Sequence, residues 1–275
     1  MPINSVITNS NAMMALRHLN DTNRQMAATQ GRISTGLKIN NAIDDSSNYT
    51  IAQGLRSDVK AMSTISQGLN NTKGAAQVAL AGANSVSNLL ADVRAKLVEM
   101  SNEGISASQR SILATDLNSL MSQVGNFISN AEFNGQNILT ATSTNILTLS
   151  NINGGQLTLN AQDIETDAQA LATVAAAIAG ATASASALAG SFVTLETTVN
   201  AALGGLGADI RAINLQNEFL GQVRDATEEG LGNIIDADMA RESAKLSSLQ
   251  IRQELGMQVT GIANTAPQSL LGLFK

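Results

Sequence analysis

Two carboxylate pairs are the residues of this chain whose type and spacing come nearest to chemistry: Asp44-Asp45 and Asp236-Ala237-Asp238. Paired acids hold divalent metals or act as acid and base in hydrolysis. Neither pair has a companion cluster of His, Cys or further acids. Each instead precedes a run of helical spacing, where a carboxylate accepts the free N–H groups of a first turn and favours its positive end. Asp44, Asp45, Asp236 and Asp238 are therefore read as bend and cap residues. His18 is the single histidine and there is no cysteine, so a histidine-rich or cysteine-ligated metal site is excluded by count. Gly204-Gly205-Leu206-Gly207 has the glycines of a phosphate loop but no preceding strand and no following Lys-Ser/Thr, and is read as a helix break. The stretch 132–165, with Asp163 and Glu165, is the place a secreted enzyme would keep its site, yet it offers no nucleophile beside a base. The reading is of a non-enzyme without cofactor or metal.

The elements around these residues are helical. Steps of three and four from Leu16 run through Leu19, Asn23, Met26, Gln30, Ile33 and Leu37, the seam spacing of a coiled coil. A second run at the opposite end passes through Ala244, Ser248, Ile251, Leu255, Gln258 and Ile262. Both mix apolar residues with amides, hydroxyls and alanine, so neither helix is stable alone. The terminal segments, 3–37 and 244–262, are predicted to pair with each other and to require further partners. Asn23, Gln30 and Gln258 would fix register at a cost in stability. Met13, Met14 and Met26 are read as seam filler.

Composition narrows the function classes. Among 275 residues aromatics make up 2%, with no Trp and one Tyr; small and straight-chain apolar residues suit closely packed parallel helices, and the expectation is a rod. Pro2 and Pro267 both fall outside the stretches read as helix, so long uninterrupted helices are permitted. A formal net charge of −6 with 14% charged residues leaves no basic stripe for nucleic acid. Residues 168–190, mostly Ala with Thr, Ser and Gln, are too weakly apolar to span a membrane and are read as an Ala-rich helix. Residues 1–16 carry a single Leu and no Lys or Arg, and are not read as a conventional secretory signal.

The polar run 39–49 reads as a bend and an N-cap. Helical spacing resumes over 49–100, breaks near Asn102-Glu103-Gly104, and returns over 108–130. Asn134-Gly135 is a turn signal, and residues 145–150 and 156–159 alternate with a period near two around a turn at 151–155, predicting a short β-hairpin. Helix follows from about Thr166, loosens at 204–207, and ends at the bend 236–238. The fold class is mainly α: a long antiparallel coiled-coil pairing of the termini with a small hairpin near the middle.

Several runs resemble the bacterial flagellins: Ile3-Asn4-Ser5, Arg32-Ile33-Ser34-Thr35-Gly36-Leu37-Lys38-Ile39-Asn40 and Ala42-Ile43-Asp44-Asp45 at one end. At the other are Ile235-Asp236-Ala237-Asp238-Met239-Ala240-Arg241-Glu242 and 263–271. The resemblance covers about residues 1–140 and 205–275, and the C-terminal wording is similar to the alphaproteobacterial type. It implies a subunit that is exported through the flagellum's own channel and polymerises into the filament, with residues 1–43 and 236–275 as inner-tube helices. Residues 44–140 and 166–235 would form the outer helical domain, with 141–165 as hairpin and linker. The implied partners are other copies of the chain, an export chaperone, the filament cap and hook-junction proteins. The family's innate-immune receptor site aligns with Leu90-Ala91-Asp92-Val93-Arg94-Ala95-Lys96, where Asp92 stands at a position expected to be Arg, so poor recognition is expected. The alternatives are a hook–filament junction protein and, from another class, an intracellular helical adaptor.

Overall fold

A computed structural model describes the backbone of residues 8–272 and the side chains of 8–265; the Ile3-Asn4-Ser5 run lies outside the described residues. Among the described residues seven α-helices carry the fold: α1 (Ser10–Thr35), α2 (Ser46–Met100), α3 (Ala107–Ser129), α4 (Glu165–Ala176), α5 (Ala181–Ala187), α6 (Val193–Ile235) and α7 (Met239–Gly272), with a π-helical turn at Leu188–Phe192 between α5 and α6. Two antiparallel hairpins lie between α3 and α4: β1 (Glu132–Phe133) with β2 (Gln136–Asn137), and β3 (Ile146–Leu149) with β4 (Gln156–Leu159). The chain forms two compact units, residues 1–57 with 226–275, and residues 58–225.

The second unit owns the larger core. On α2 the buried positions Met62, Ile65, Leu69, Thr72, Ala76, Ala79, Ala83, Val86, Leu90, Val93, Leu97 and Met100 follow alternating steps of three and four without a slip. This 3.5-residue period keeps one seam facing its neighbours along the helix. Leu117, Met121, Val124 and Ile128 of α3 and Leu195, Val199, Ala202 and Leu206 of α6 answer it. Small seam residues draw backbones together. A Cβ on Gly82 would lie 2.7 Å from that of Ala131, and one on Gly74 would lie 2.9 Å from the Phe133 ring. Phe133 is delivered there by the β1–β2 turn, whose Asn134 (φ 51°) and Gly135 (φ 79°) are both left-handed, the conformation that gives two-residue hairpin turns the twist of their strands. A capping box at Ser106 and Gln109 starts α3. The buried Arg110 donates to the Asn102 carbonyl at 3.1 Å, just past the end of α2.

Four readings of the sequence are corrected here. The break expected at 204–207 is absent: α6 passes through these glycines, held by the buried Ala202 and Leu206. Gly205 leaves room for Gln162, whose Nε2 would lie 3.0 Å from a Cβ there. The continuous Ala-rich helix expected from 166 is instead divided. Bonds from Ala177 N–H to Val174 O and from Ile178 N–H to Ala175 O tighten and end α4, and the extra residue of the π turn brings Phe192 into the core at 1% exposure. Pro267, expected beyond the last helix, falls inside α7. The hairpin signal at 134–135 closes a second, two-residue hairpin in addition to the one foreseen at 145–159.

The first unit contains α1, α7 and the bend between them. Lys38 N–H donates to Ile235 O at 2.6 Å, Ala237 N–H to Gly36 O at 2.8 Å, and Leu37 pairs with Asp236 in an antiparallel bridge. Gly36 ends α1 in the left-handed conformation (φ 73°) with its N–H on Arg32 O, which frees its own carbonyl for this clasp. Ile39, Ala52 and Ile235 are buried beneath it, with Leu37, Tyr49, Leu231 and Ile234 packed around them. The bends at 44 and 236, expected as domain edges, thus lie within one compact unit, because the clasp joins them. The division falls inside α2 and α6.

Candidate assembly surface

The terminal helices pack antiparallel, and named contacts fix their register. Asn9 meets Ala263, Leu19 meets Gly256, Asn23 meets Gln253 at 2.8 Å, and Arg32 meets Glu242 at 3.4 Å. Gly256 has no Cβ because one would lie 3.3 Å from Leu19 Cδ1. On α1 the sheltered positions include Ala12, Ala15, Leu19, Asn23, Met26, Thr29 and Ile33, so Leu19, Asn23, Met26, Ile33 and Leu37 of the predicted seam are half-buried while Leu16, at 51% exposure, and Gln30 are exposed.

On α7 the facing stripe is Glu242, Leu246, Leu249, Gln253, Gly256, Thr260 and Ala263. The run expected to mate with α1, Ala244, Ser248, Ile251, Leu255, Gln258 and Ile262, is exposed throughout. Both stripes obey the same three-and-four spacing, so the apolar pattern does not choose between them. Polar partners and the glycine do: only the Glu242 stripe offers a carboxylate to Arg32, an amide to Asn23 and a gap to Leu19. Glu242 is 8% exposed, and its Oε2, like Thr29 Oγ1, has no hydrogen-bond partner among the described residues.

Large apolar side chains remain outside, among charged ones such as Arg17, Arg24, Arg252 and Glu254. Met13, Met14 and Leu16 on α1 and Ile251, Leu255, Met257, Val259 and Ile262 on α7 are each more than half exposed, Ile262 at 70%. Large apolar side chains gathered at this density mark an interaction surface.

The carboxylates do local work. Asp45 Oδ1 accepts from Asn48 N–H at 3.0 Å and Oδ2 from the Asn48 amide at 2.7 Å, at the start of α2; these bonds, the backbone one first, hold its carboxyl below the usual 3.8. Asp44 accepts from the N–H groups of Asn40 and Asn41, closing the bend. Asp238 accepts from Ala240 and Arg241 N–H at the start of α7, whereas Asp236 enters the bridge to Leu37 through its backbone. Asp163 receives the Thr166 N–H and hydroxyl, and Glu165 the Ala141 N–H and Gln169 amide. His18 is exposed, and no group of three metal-ligating side chains occurs among the described residues. No helix of the described residues is long and apolar enough to cross a membrane.

In the second unit, the stretch 90–96 commits both its cations internally. Arg94 lies 3.6 Å from Glu196 and over the Phe192 ring at 5.9 Å. Lys96 reaches Asp116 at 2.9 Å, and that hydrogen bond and charge raise its pKa above the ordinary 10.5. Asp92 is exposed.

Comparison with known proteins agrees with this architecture. The bacterial flagellin N-terminal helical region matches residues 6–144, and the bacterial flagellin C-terminal helical region matches residues 193–274. Flagellin FljM of Caulobacter vibrioides is 33% identical over 275 residues, all of both chains. A flagellin of Brucella melitensis is 34% identical, covering 98% of this chain and 99% of its own. Among solved structures, a Vibrio parahaemolyticus chain assigned to the flagellar hook-associated proteins shares the fold, with a TM-score of 0.59 at 14% identity over 70% of this chain and all of its own. With its helical terminal regions matched at both ends and full-length likeness to alphaproteobacterial relatives, the chain belongs to the bacterial flagellins, the structural subunits of the flagellar filament.

Proposed function

We propose that this flagellin polymerises through the apolar side chains that its terminal helix pair leaves uncovered. The supporting observation is the exposure of Met13, Met14, Leu16, Ile251, Leu255, Met257, Val259 and Ile262 on one compact unit. Burying each such side chain against neighbouring subunits returns about 1.5–3 kcal/mol, against about 1–2 kcal/mol per residue for ordering backbone. On this reading the predicted C-terminal seam serves contacts between subunits, whereas the Glu242 stripe serves contacts within one. On the same reading residues 1–43 and 236–275 are the inner-tube helices, and residues 44–140 and 166–235 belong to the outer helical domain. A contact of this kind joins different patches on successive copies, so it extends as an open helix instead of closing. The mechanism is mechanical.

Export through the flagellar secretion channel precedes assembly outside the cell, with an export chaperone, the filament cap and hook-junction proteins as partners. The engagement of Arg94 and Lys96 with Glu196 and Asp116, beside the reversed charge of Asp92, supports weak recognition by the innate-immune receptor. Monomer that activates receptor-bearing cells as strongly as a standard flagellin would overturn this. Seeded polymerisation viewed by negative-stain electron microscopy tests the central reading: long uniform filaments from the full chain and none from a chain lacking residues 1–40. Closed small oligomers would instead favour a junction role, the reading to which the fold of the Vibrio chain lends support.

A further inference from the structure

We infer that Asn9 is a positioning residue for assembly, setting the register of α1 on α7 by serving both helices with one amide. Its Oδ1 accepts from Ala12 N–H at 3.0 Å, capping α1, and its Nδ2 donates to the Ala263 carbonyl at 2.7 Å. The amide orientation follows from chemistry, since an N–H needs the oxygen and a carbonyl needs the nitrogen. In an unbroken α-helix the carbonyl of residue 263 accepts from the N–H of residue 267. Residue 267 is proline and has no N–H, although α7 continues through it to Gly272. Asn9 therefore supplies the donor that Pro267 removes.

This makes the contact selective for one register. Residues 266 and 268 are Ala and Gln, whose N–H groups are available to the carbonyls of Ile262 and Asn264, so a slip of one residue takes Asn9 to an acceptor that already has a ladder donor. Ala263 is half-buried against α1, and a sheltered carbonyl left without a donor is costly. The bridge between Leu37 and Asp236 pins the helix pair at the bend; the Asn9 contact pins it at the far end. The inference rests on the filament reading only for its effect on assembly.

Asn9→Ser separates the two duties, because Ser caps a helix about as well as Asn but is too short to keep the second bond, and it adds no charge. Pro267→Ala restores the missing N–H and should make the Asn9 donor dispensable. In seeded polymerisation of the full chain, the monomer concentration remaining at equilibrium is expected to rise about tenfold for Asn9→Ser, and to stay within about twofold of wild type for Pro267→Ala and for the double variant. Wild-type behaviour of Asn9→Ser, or a double variant as impaired as Asn9→Ser, would overturn the inference. Should the wild-type chain form no filaments, the filament reading fails on its own. The register contact is then judged by hydrogen exchange of the unpolymerised chain: Asn9→Ser must lose protection along α7 and the double variant regain it, and any other pattern overturns it.

Discussion

At the scale of single residues, glycine and carboxylate positions carry the sharpest consequences. Gly82 and Gly125 both sit in helices of the second unit, but a Cβ on Gly82 meets Ala131 at 2.7 Å and Leu139 at 3.2 Å, whereas one on Gly125 meets nothing within 4 Å. Replacement by Ala returns about 0.8–1.0 kcal/mol of helix propensity at either site, and forcing a methyl into a packed contact costs about 1–3 kcal/mol. Gly82→Ala is expected to lower the midpoint of thermal unfolding and Gly125→Ala to raise it; a rise for both would show that the close approach at Gly82 relaxes freely. Asp45 gives a pH dependence. Its pKa is lowered on folding, so its contribution is complete above the ordinary carboxylate value and is lost as pH falls through the lowered one. Asp45→Asn, which caps without charge, is expected to remove the acid-dependent loss of amide protection at Asn48 and Tyr49 that sets in as pH falls below the ordinary carboxylate value of 3.8. The local bonds of Asp44, Asp45 and Asp238 depend on residues two to four positions away, within reach of a sequence reading.

Elements were legible where the pattern is local and periodic. The α2 seam repeats three-and-four steps over its length, and the gap at 102–104 and the capping box at Ser106 delimit α3. Asn134-Gly135 marked a turn because both residues tolerate positive φ. That turn sets the position of Phe133 over Gly74, so Gly135→Ala, at φ 79°, is expected to cost about 1–2 kcal/mol in denaturant unfolding. A cost near zero would mean that the hairpin rearranges without disturbing the core. Reading failed where long-range packing overrides local preference. The glycines at 204–207 weaken a helix by propensity, yet α6 continues because Ala202, before them, and Leu206, among them, are buried. The alanines of 168–190 favour helix, yet the chain breaks and takes a π turn so that Ile178 and Phe192 reach the core.

At the scale of the whole molecule, two stripes on α7 divide inner packing from outer contact. Leu249 is 2% exposed, and Leu249→Ala is expected to destabilise the terminal pair by about 2–5 kcal/mol. The triple variant Ile251→Ser, Leu255→Ser and Ile262→Ser is expected to leave that pair intact by circular dichroism while abolishing filament growth in seeded electron microscopy. Normal filaments from the triple variant would move the assembly contact elsewhere on the molecule. The sequence by itself determined the helical class, the pairing of the two ends, the capped bends and the family, because each depends on periodicity, local hydrogen bonding or runs of residues that stand in the chain. Only the tertiary structure decided which face of α7 meets α1. Two stripes of equal spacing compete there, and the choice rests on Glu242, Gln253 and Gly256 finding Arg32, Asn23 and Leu19, partners more than 200 residues away in the chain.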